Sequence, residues 1–248
     1  MQMLMIGGAL FGLSMVTGML GIGVAFAAVP LLSLFMSDLV NEVHPLSLVL
    51  NGVTALFSLF GFAHAGLVNW KRAAMLAAVT TLGAPMGATL AREVPAIYLW
   101  IAYFAAVGYL LHHLFGKPLQ DGVVEKFTLG LWLAFPIALL TGFIGVGPGF
   151  MLVPVLAQCG VRFKEAAALN SFAVVPSSFA AAWIHFGHAH FEANFTLVLV
   201  GAGAAGALIG SVLASRRIPV ALLRRILGIT ILMVTLYKLA QLLRETAL

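Results

Sequence analysis

The first 37 residues, Met1–Ser37, contain no Lys, Arg, Asp or Glu, and a second such stretch of 35 runs from Phe127 to Val161. A straight helix of that length would extend roughly 50 Å, whereas a bilayer's hydrocarbon core is about 30 Å thick. Each stretch must therefore be interrupted. The first contains TGMLGIGVAFAAVP (Thr17–Pro30) and the second TGFIGVGPGFMLVP (Thr141–Pro154), identical at seven of fourteen positions. Glycine is a poor helix residue and proline a worse one. The breaks are expected at Gly21-Ile-Gly23 and at Gly145-Val-Gly147-Pro-Gly149.

A bilayer is the right solvent to assume. The chain is 62% hydrophobic and 8% charged, with a mean hydropathy of +1.09. A water-soluble domain carries about 25% charged residues, and this chain has too little polar surface to cover itself. It reads as an all-α, multi-pass membrane protein with the lipid bilayer as its partner. Its net charge of +5 belongs to the membrane surface rather than to nucleic acid. The single cysteine, Cys159, excludes an internal disulfide and any CxxC metal site. The N-terminus lacks the basic region of a cleaved signal peptide, so the first segment is expected to stay.

The remaining charges divide the chain into stretches of one span each: Val43–Trp70, Ala73–Ala91, Val94–Gly116, Ala166–Phe191, Ala193–Ser215 and Ile226–Leu243. The duplication continues through them, mostly at an offset of 124. FAHAG (Phe62–Gly66) answers FGHAH (Phe186–His190), and LGAPMGATLAREVP (Leu82–Pro95) answers AGALIGSVLASRRIP (Ala205–Pro219). The chain thus divides into a first transmembrane repeat (1–115), a hinge loop (116–126) and a second repeat (127–248). Each repeat is a Gly-broken helix, or a re-entrant pair, followed by three transmembrane helices.

The parity of the broken element sets the topology. If it crosses once, the halves are parallel and basic residues fall evenly on both sides. If it returns, the halves are inverted and ten basic residues share one face: Lys71, Arg72, Lys117, Lys126, Arg162, Lys164, Arg216, Arg217, Arg224 and Arg225. Only Arg92, Lys238 and Arg244 oppose them. That asymmetry favours inversion, with both termini outside.

Inverted repeats with broken helices are a recurring plan of secondary transporters, in which the free N–H groups of the half-helices turn toward an anion. A helix starting near Val24 or Gly149 leaves its first N–H groups unpaired and carries a partial positive charge. Gly21, Gly23, Gly145, Gly147 and Gly149 would let a ligand approach that backbone. The helix after each break adds hydroxyls and amides, namely Ser47, Asn51, Thr54 and Ser58, then Asn170, Ser171, Ser177 and Ser178. Thr17 and Thr141 precede the breaks. The expected substrate-binding set is Thr17, Gly21, Gly23, Ser47, Asn51, Thr141, Gly145, Gly147, Gly149, Asn170, Ser171 and Ser177. Singly, a membrane Ser or Thr usually bonds its own i−4 carbonyl. Gly83/Gly87 and Gly206/Gly210 read as helix-packing pairs.

No carboxylate lies mid-span, so a carboxylate proton relay is missing. The possible coupling residues are His64 and His188, with His185 and His190 beside the latter. An anion would then leave down the membrane potential without obligatory proton exchange. The competing reading is a cation or metal permease using membrane histidines, though it lacks the carboxylates such sites use. HExxH, GxSxG and an intramembrane carboxylate pair are all absent from the sequence, which argues against an enzyme. No cofactor or metal is expected, and a homo-oligomer stays open.

The duplicated Gly-x-Gly-x-x-x-x-x-x-Pro runs (Gly21 to Pro30, Gly145 to Pro154) and the AAALNSF that follows the second carry a resemblance. The chain resembles the sulfite exporter TauE/SafE group, also called the TSUP family of membrane permeases. The resemblance implies transport, by export, of sulfite, organosulfonates or related small sulfur-containing anions across a bacterial inner membrane.

Overall fold

The computed structural model describes residues 2–36, 38–115, 125–187 and 193–216, and twelve scattered positions between 219 and 240. Most of the hinge, together with His188, His190 and Lys238, lies outside the described residues. The described elements are helical: α1 (Gln2–Met19), α2 (Ala25–Leu32), a π-helical turn (Leu39–Val43), α3 (His44–His64), α4 (Trp70–Ala91), α5 (Ala96–Phe115), α6 (Phe127–Ile144), α7 (Gly149–Gln158), α8 (Phe163–His185) and α9 (Ala193–Arg216). Five segments are long and apolar enough to cross a membrane: Leu39–His64, Trp70–Ala91, Phe127–Ile144, Phe163–His185 and Asn194–Ser215. The helices over Ala96–Tyr109 and Met5–Met19 are apolar but shorter.

Both over-long stretches break at their glycines. α1 stops at Met19 and α2 starts at Ala25, while α6 stops at Ile144 and α7 starts at Gly149. Gly21, Gly23, Gly145 and Gly147 all hold φ between 63° and 77°. A side chain is costly in that left-handed region, so the reversal of direction needs glycine. Prolines end up inside the short helices, Pro30 in α2 and Pro154 in α7.

Contacts along the helices fix their relative directions. α3 and α8 run opposite ways: His44 meets His185, Asn51 bonds Ser178, and Gly52 lies against Phe179. α4 runs with α8, since Arg72 bonds Glu165, Thr80 bonds the Ala173 carbonyl and Arg92 that of Ile184. α9 runs with α3, through Gly203 on Thr54 and Gly61 on Ser211. α1 lies along α9 in the same sense, with Gly206 on the Phe11 backbone and Gly210 on that of Met15. α6 does the same with α4, through Gly83 on Phe135 and Gly87 on Leu139 and Phe143. The small residues read as packing pairs do let these backbones meet.

α3 and α8 occupy the centre, and the outer helices show their apolar sides. Met75, Leu82, Met86 and Leu90 on α4, and Leu129, Trp132 and Leu133 on α6, are exposed. Such a surface is stable only against lipid. At one end of the bundle Arg72 pairs with Glu125 and Glu165, and Arg162 pairs with Glu165. Arg92 sits at the opposite end, beside the last turn of α8.

Candidate anion site

The buried polar residues of the molecule concentrate on α3 and α8. Ser47, Asn51, Thr54, Ser58, Asn170, Ser171, Ser177 and Ser178 are all fully buried. Buried polar groups need partners, and these find them in two different ways. Thr17 donates to the Ser14 carbonyl, Thr141 to those of Ile137 and Ala138, Ser171 to that of Ala168 and Ser177 to that of Ala173. These four expected site residues bond their own helices. Only the backbone carbonyls of Thr17 and Thr141 reach a break, accepting from the Ile22 and Val146 N–H groups.

Ser58 also stays on its own helix, donating to the Thr54 carbonyl, and the remaining polar residues reach across. Asn51 lies between the two breaks, with Gly23 on the side of its carboxamide oxygen and Gly147 on the side of its nitrogen. Its Oδ1 accepts from the Ala25 N–H at 3.0 Å and its Nδ2 donates to Ser178 Oγ at 2.9 Å. Thr54 Oγ1 accepts from the Val24 N–H at 3.2 Å. Ser47 Oγ donates to the Gly145 carbonyl at 2.8 Å, and Asn170 Nδ2 to the Gly21 carbonyl at 2.6 Å. Each break is therefore held by the long helix of the other half, and the first by that of its own half as well.

The breaks also pass one another. The first descends from Gly21, beside Ala167 and Phe62, to Ala25 at Asn51; the second runs from Gly145, on His44, past Asn51 to Gly149, against the Ile22 carbonyl. In each, the chain turns back against the direction of its long helix. α2 and α7 then meet through Phe26 and Phe150, stacked at 6.0 Å. These phenylalanines sit at equivalent positions of the duplicated motif.

The ends of the short helices differ. At α2 the Val24 and Ala25 donors are taken by side chains. At α7 the position matching Val24 is Pro148, which has no N–H, and the residue matching Asn51 is Val175. The N–H groups of Gly149, Phe150 and Met151 have no partner among the described residues. Beside them lies Asn170, fully buried, whose Oδ1 is unpartnered. A donor cluster with a partial positive charge and little side-chain bulk is suited to an oxyanion.

A profile of the family described as "Sulfite exporter TauE/SafE" matches residues 4–238. The chain belongs to that family. A TauE/SafE chain is a membrane transporter and not an enzyme. A relative from Xylella fastidiosa (strain Temecula1), described as "Probable membrane transporter protein", is 29% identical, with 93% of this chain and 91% of the relative covered. No solved structure matches.

His64, one of the two expected coupling residues of this TauE/SafE chain, ends α3 and is exposed; His188 is outside the described residues. The structure instead buries His44 and His185. Among the described residues no three His, Cys, Asp or Glu side chains gather as metal ligands would. His44 and Ser178 were absent from the expected site. Ser178 was legible as the equivalent of Thr54 at the offset of 124, while His44 gave no signal, since its partner lies 141 residues away in sequence.

Proposed function

We propose that the protein exports sulfite or a small organosulfonate across a bacterial inner membrane, through one anion site between its two glycine breaks. The observation that carries this reading is the uncapped N-terminus of α7, with its three free donors next to Asn170 and the Asn51–Ser178 bridge. Neutral donors bind an anion without a buried countercharge that would trap it. A membrane potential negative inside favours anion exit by about 2.3 kcal/mol per 100 mV for each charge moved.

The site belongs to two inverted repeats, residues 1–115 and 127–248, joined at 116–126. Opposed α3 and α8, and the reversal of direction at each break, support inversion. So do the ion pairs that collect Arg72, Arg162, Glu125 and Glu165 at one end.

Thermal unfolding of the purified protein tests the substrate class. Sulfite, thiosulfate or methanesulfonate should raise the melting temperature, and zinc or nickel should not; the reverse pattern would select the metal-permease reading. Topology is tested by cysteine labelling. Labels in the 116–126 loop should react from the cytoplasm, and labels at Glu93 or the C-terminus from the periplasm. Any other distribution removes the inverted arrangement.

A further inference from the structure

His44 opens α3 and His185 closes α8, and the antiparallel course of the two helices puts their rings edge to face at 6.0 Å. Both residues are buried, and none of their four ring nitrogens has a hydrogen-bond partner among the described residues. A neutral imidazole has one donor and one acceptor, and leaving such a group buried and unpaired costs about 1–3 kcal/mol. Two side chains therefore maintain four such groups at one place. A purely structural pair would be cheaper as leucine or phenylalanine.

The place is continuous with the anion site. Gly145, the first glycine of the second break, lies directly on the His44 ring. Ser47, one turn along α3, donates to both the His44 and Gly145 carbonyls. Asn51 and Ser178 come next, each seven residues from its histidine, about 10 Å along the helix. Histidine pair, serine and asparagine bridge form one polar seam between α3 and α8. The seam ends at the end of the bundle that bears Arg92.

We propose, building on the function given above, that His44 and His185 form a second, protonatable anion station on this seam. It takes up one proton from the adjacent aqueous face for each sulfur oxyanion it admits. The proton comes from water and bonds to a ring nitrogen; no bond to the anion forms or breaks. A buried imidazolium without a counter-ion is costly, whereas one facing an oxyanion gains a charge-assisted hydrogen bond. Anion and proton therefore bind together and leave together. The surrounding charges are few. Asp38 acts on His44 from the turn before α3, and Arg92 acts on His185 from the end of α4. Glu42, on the same turn as Asp38, is engaged by the Asp38 N–H. Gly145, which caps α6, lies on the His44 ring. Arg92 adds positive potential at this end, and among the described residues no carboxylate pairs with either ring to replace the anion. Anion occupancy of the station then responds to the pH of that face, whereas the sequence suggested an exit driven by the potential alone.

The test is calorimetric titration of the full-length protein in nanodiscs with sulfate or methanesulfonate, both fully ionised near neutrality. Running each titration in two buffers of different ionisation enthalpy counts the protons taken up. The expected count is about one per anion, with affinity falling about tenfold between pH 7 and pH 8 as one-proton linkage requires. In His44→Gln and His185→Gln the anion should still bind at the midplane, with no proton uptake and no pH slope. Should either variant fail to fold, the wild-type count decides alone. Anion binding without proton uptake overturns this proposal and leaves the anion-transporter reading intact. Uptake that persists in both variants overturns it also. Failure of every sulfur oxyanion to bind at any pH overturns both, as does histidine-dependent binding of zinc alone.

Discussion

At the start of α2, Thr54 and Asn51 accept hydrogen bonds from Val24 and Ala25. At the start of α7 the equivalent residues are Ser178 and Val175, and they accept from neither Pro148 nor Gly149. Proline has no N–H to give and valine no acceptor. Ser178 is left to receive Asn51 instead. Two substitutions between copies of one unit thus turn a closed helix end into an open one. The first break works as a fixed wall, and the second presents free donors. In the proposed site, divergence at two positions decides which of the two breaks faces the ligand.

The largest effect is expected where the copies remain alike. Gly23 and Gly147 hold φ of 71° and 69° and lie on opposite sides of the Asn51 side chain. Leucine at either position is strained in that region, by about 1–2 kcal/mol, and must also displace the carboxamide. Gly23→Leu and Gly147→Leu should each abolish sulfite efflux from proteoliposomes while the protein still inserts and purifies. Wild-type efflux in both variants would show that the breaks do not share one site.

A smaller and opposite pair of effects is expected where the copies differ. Val175→Asn gives the second half the acceptor that Asn51 gives the first, so it should close the open donors. Anion-induced thermal stabilisation should fall tenfold or more in apparent affinity, with the unliganded melting temperature held or raised. Thr54→Val removes a cap from the first half, where the wall is structural. It should cost about 1 kcal/mol, a few degrees in melting temperature for a chain of this size, and leave affinity within about twofold. If Thr54→Val weakens the anion more than Val175→Asn does, the assignment of wall and donor is reversed.

The breaks and the polar side chains were unequally legible in the sequence. The breaks could be placed because lipid allows no unpaired backbone and limits span length, so a 37-residue apolar stretch with GxG inside it has few solutions. Their observed edges, Met19 and Ala25, Ile144 and Gly149, fall where the glycines put them. The spans over α3, α4, α8 and α9 could be read from the charges that bound them. The polar side chains were a different matter. A serine or threonine on a membrane helix can satisfy itself on its own i−4 carbonyl or reach across, and composition does not distinguish the two. Thr17, Thr141, Ser171 and Ser177 spend their hydroxyls on carbonyls three or four residues back, Ser47 and Thr54 do so and also reach across, and Ser178 accepts from Asn51. The choice depends on which face of α3 meets α8, a tertiary fact. The His44–His185 contact was hidden for the same reason.

The smallest effect concerns the entrances to the central helices, where the copies differ again. Asp38 precedes α3 and its equivalent at the offset of 124, Arg162, precedes α8. Asp38 accepts from the Val40 and Asn41 N–H groups at 3.0 and 2.9 Å and from the Asn41 side chain at 2.8 Å. Arg162 makes no such cap. Partial burial pushes the Asp38 carboxyl up, but these hydrogen bonds outweigh it and leave its pKa below the usual carboxylate value. A carboxyl depressed in the folded state contributes stability that is present above its unfolded pKa, about 3.9. That contribution is lost as pH falls through the lower, folded value. The acid side of the melting-temperature profile should therefore carry a component from the first half alone. Asp38→Asn keeps an acceptor for the cap but removes the charge, so it should flatten that component, with a loss of stability present above about pH 4 and vanishing at lower pH. Asp38→Ala should lower stability at pH 7 as well, by about 1 kcal/mol or less for an exposed cap. Arg162→Gln should leave the acid limb as it is in the wild type. An acid limb that is the same in Asp38→Asn as in the wild type would mean that the cap holds the turn by geometry and not by charge.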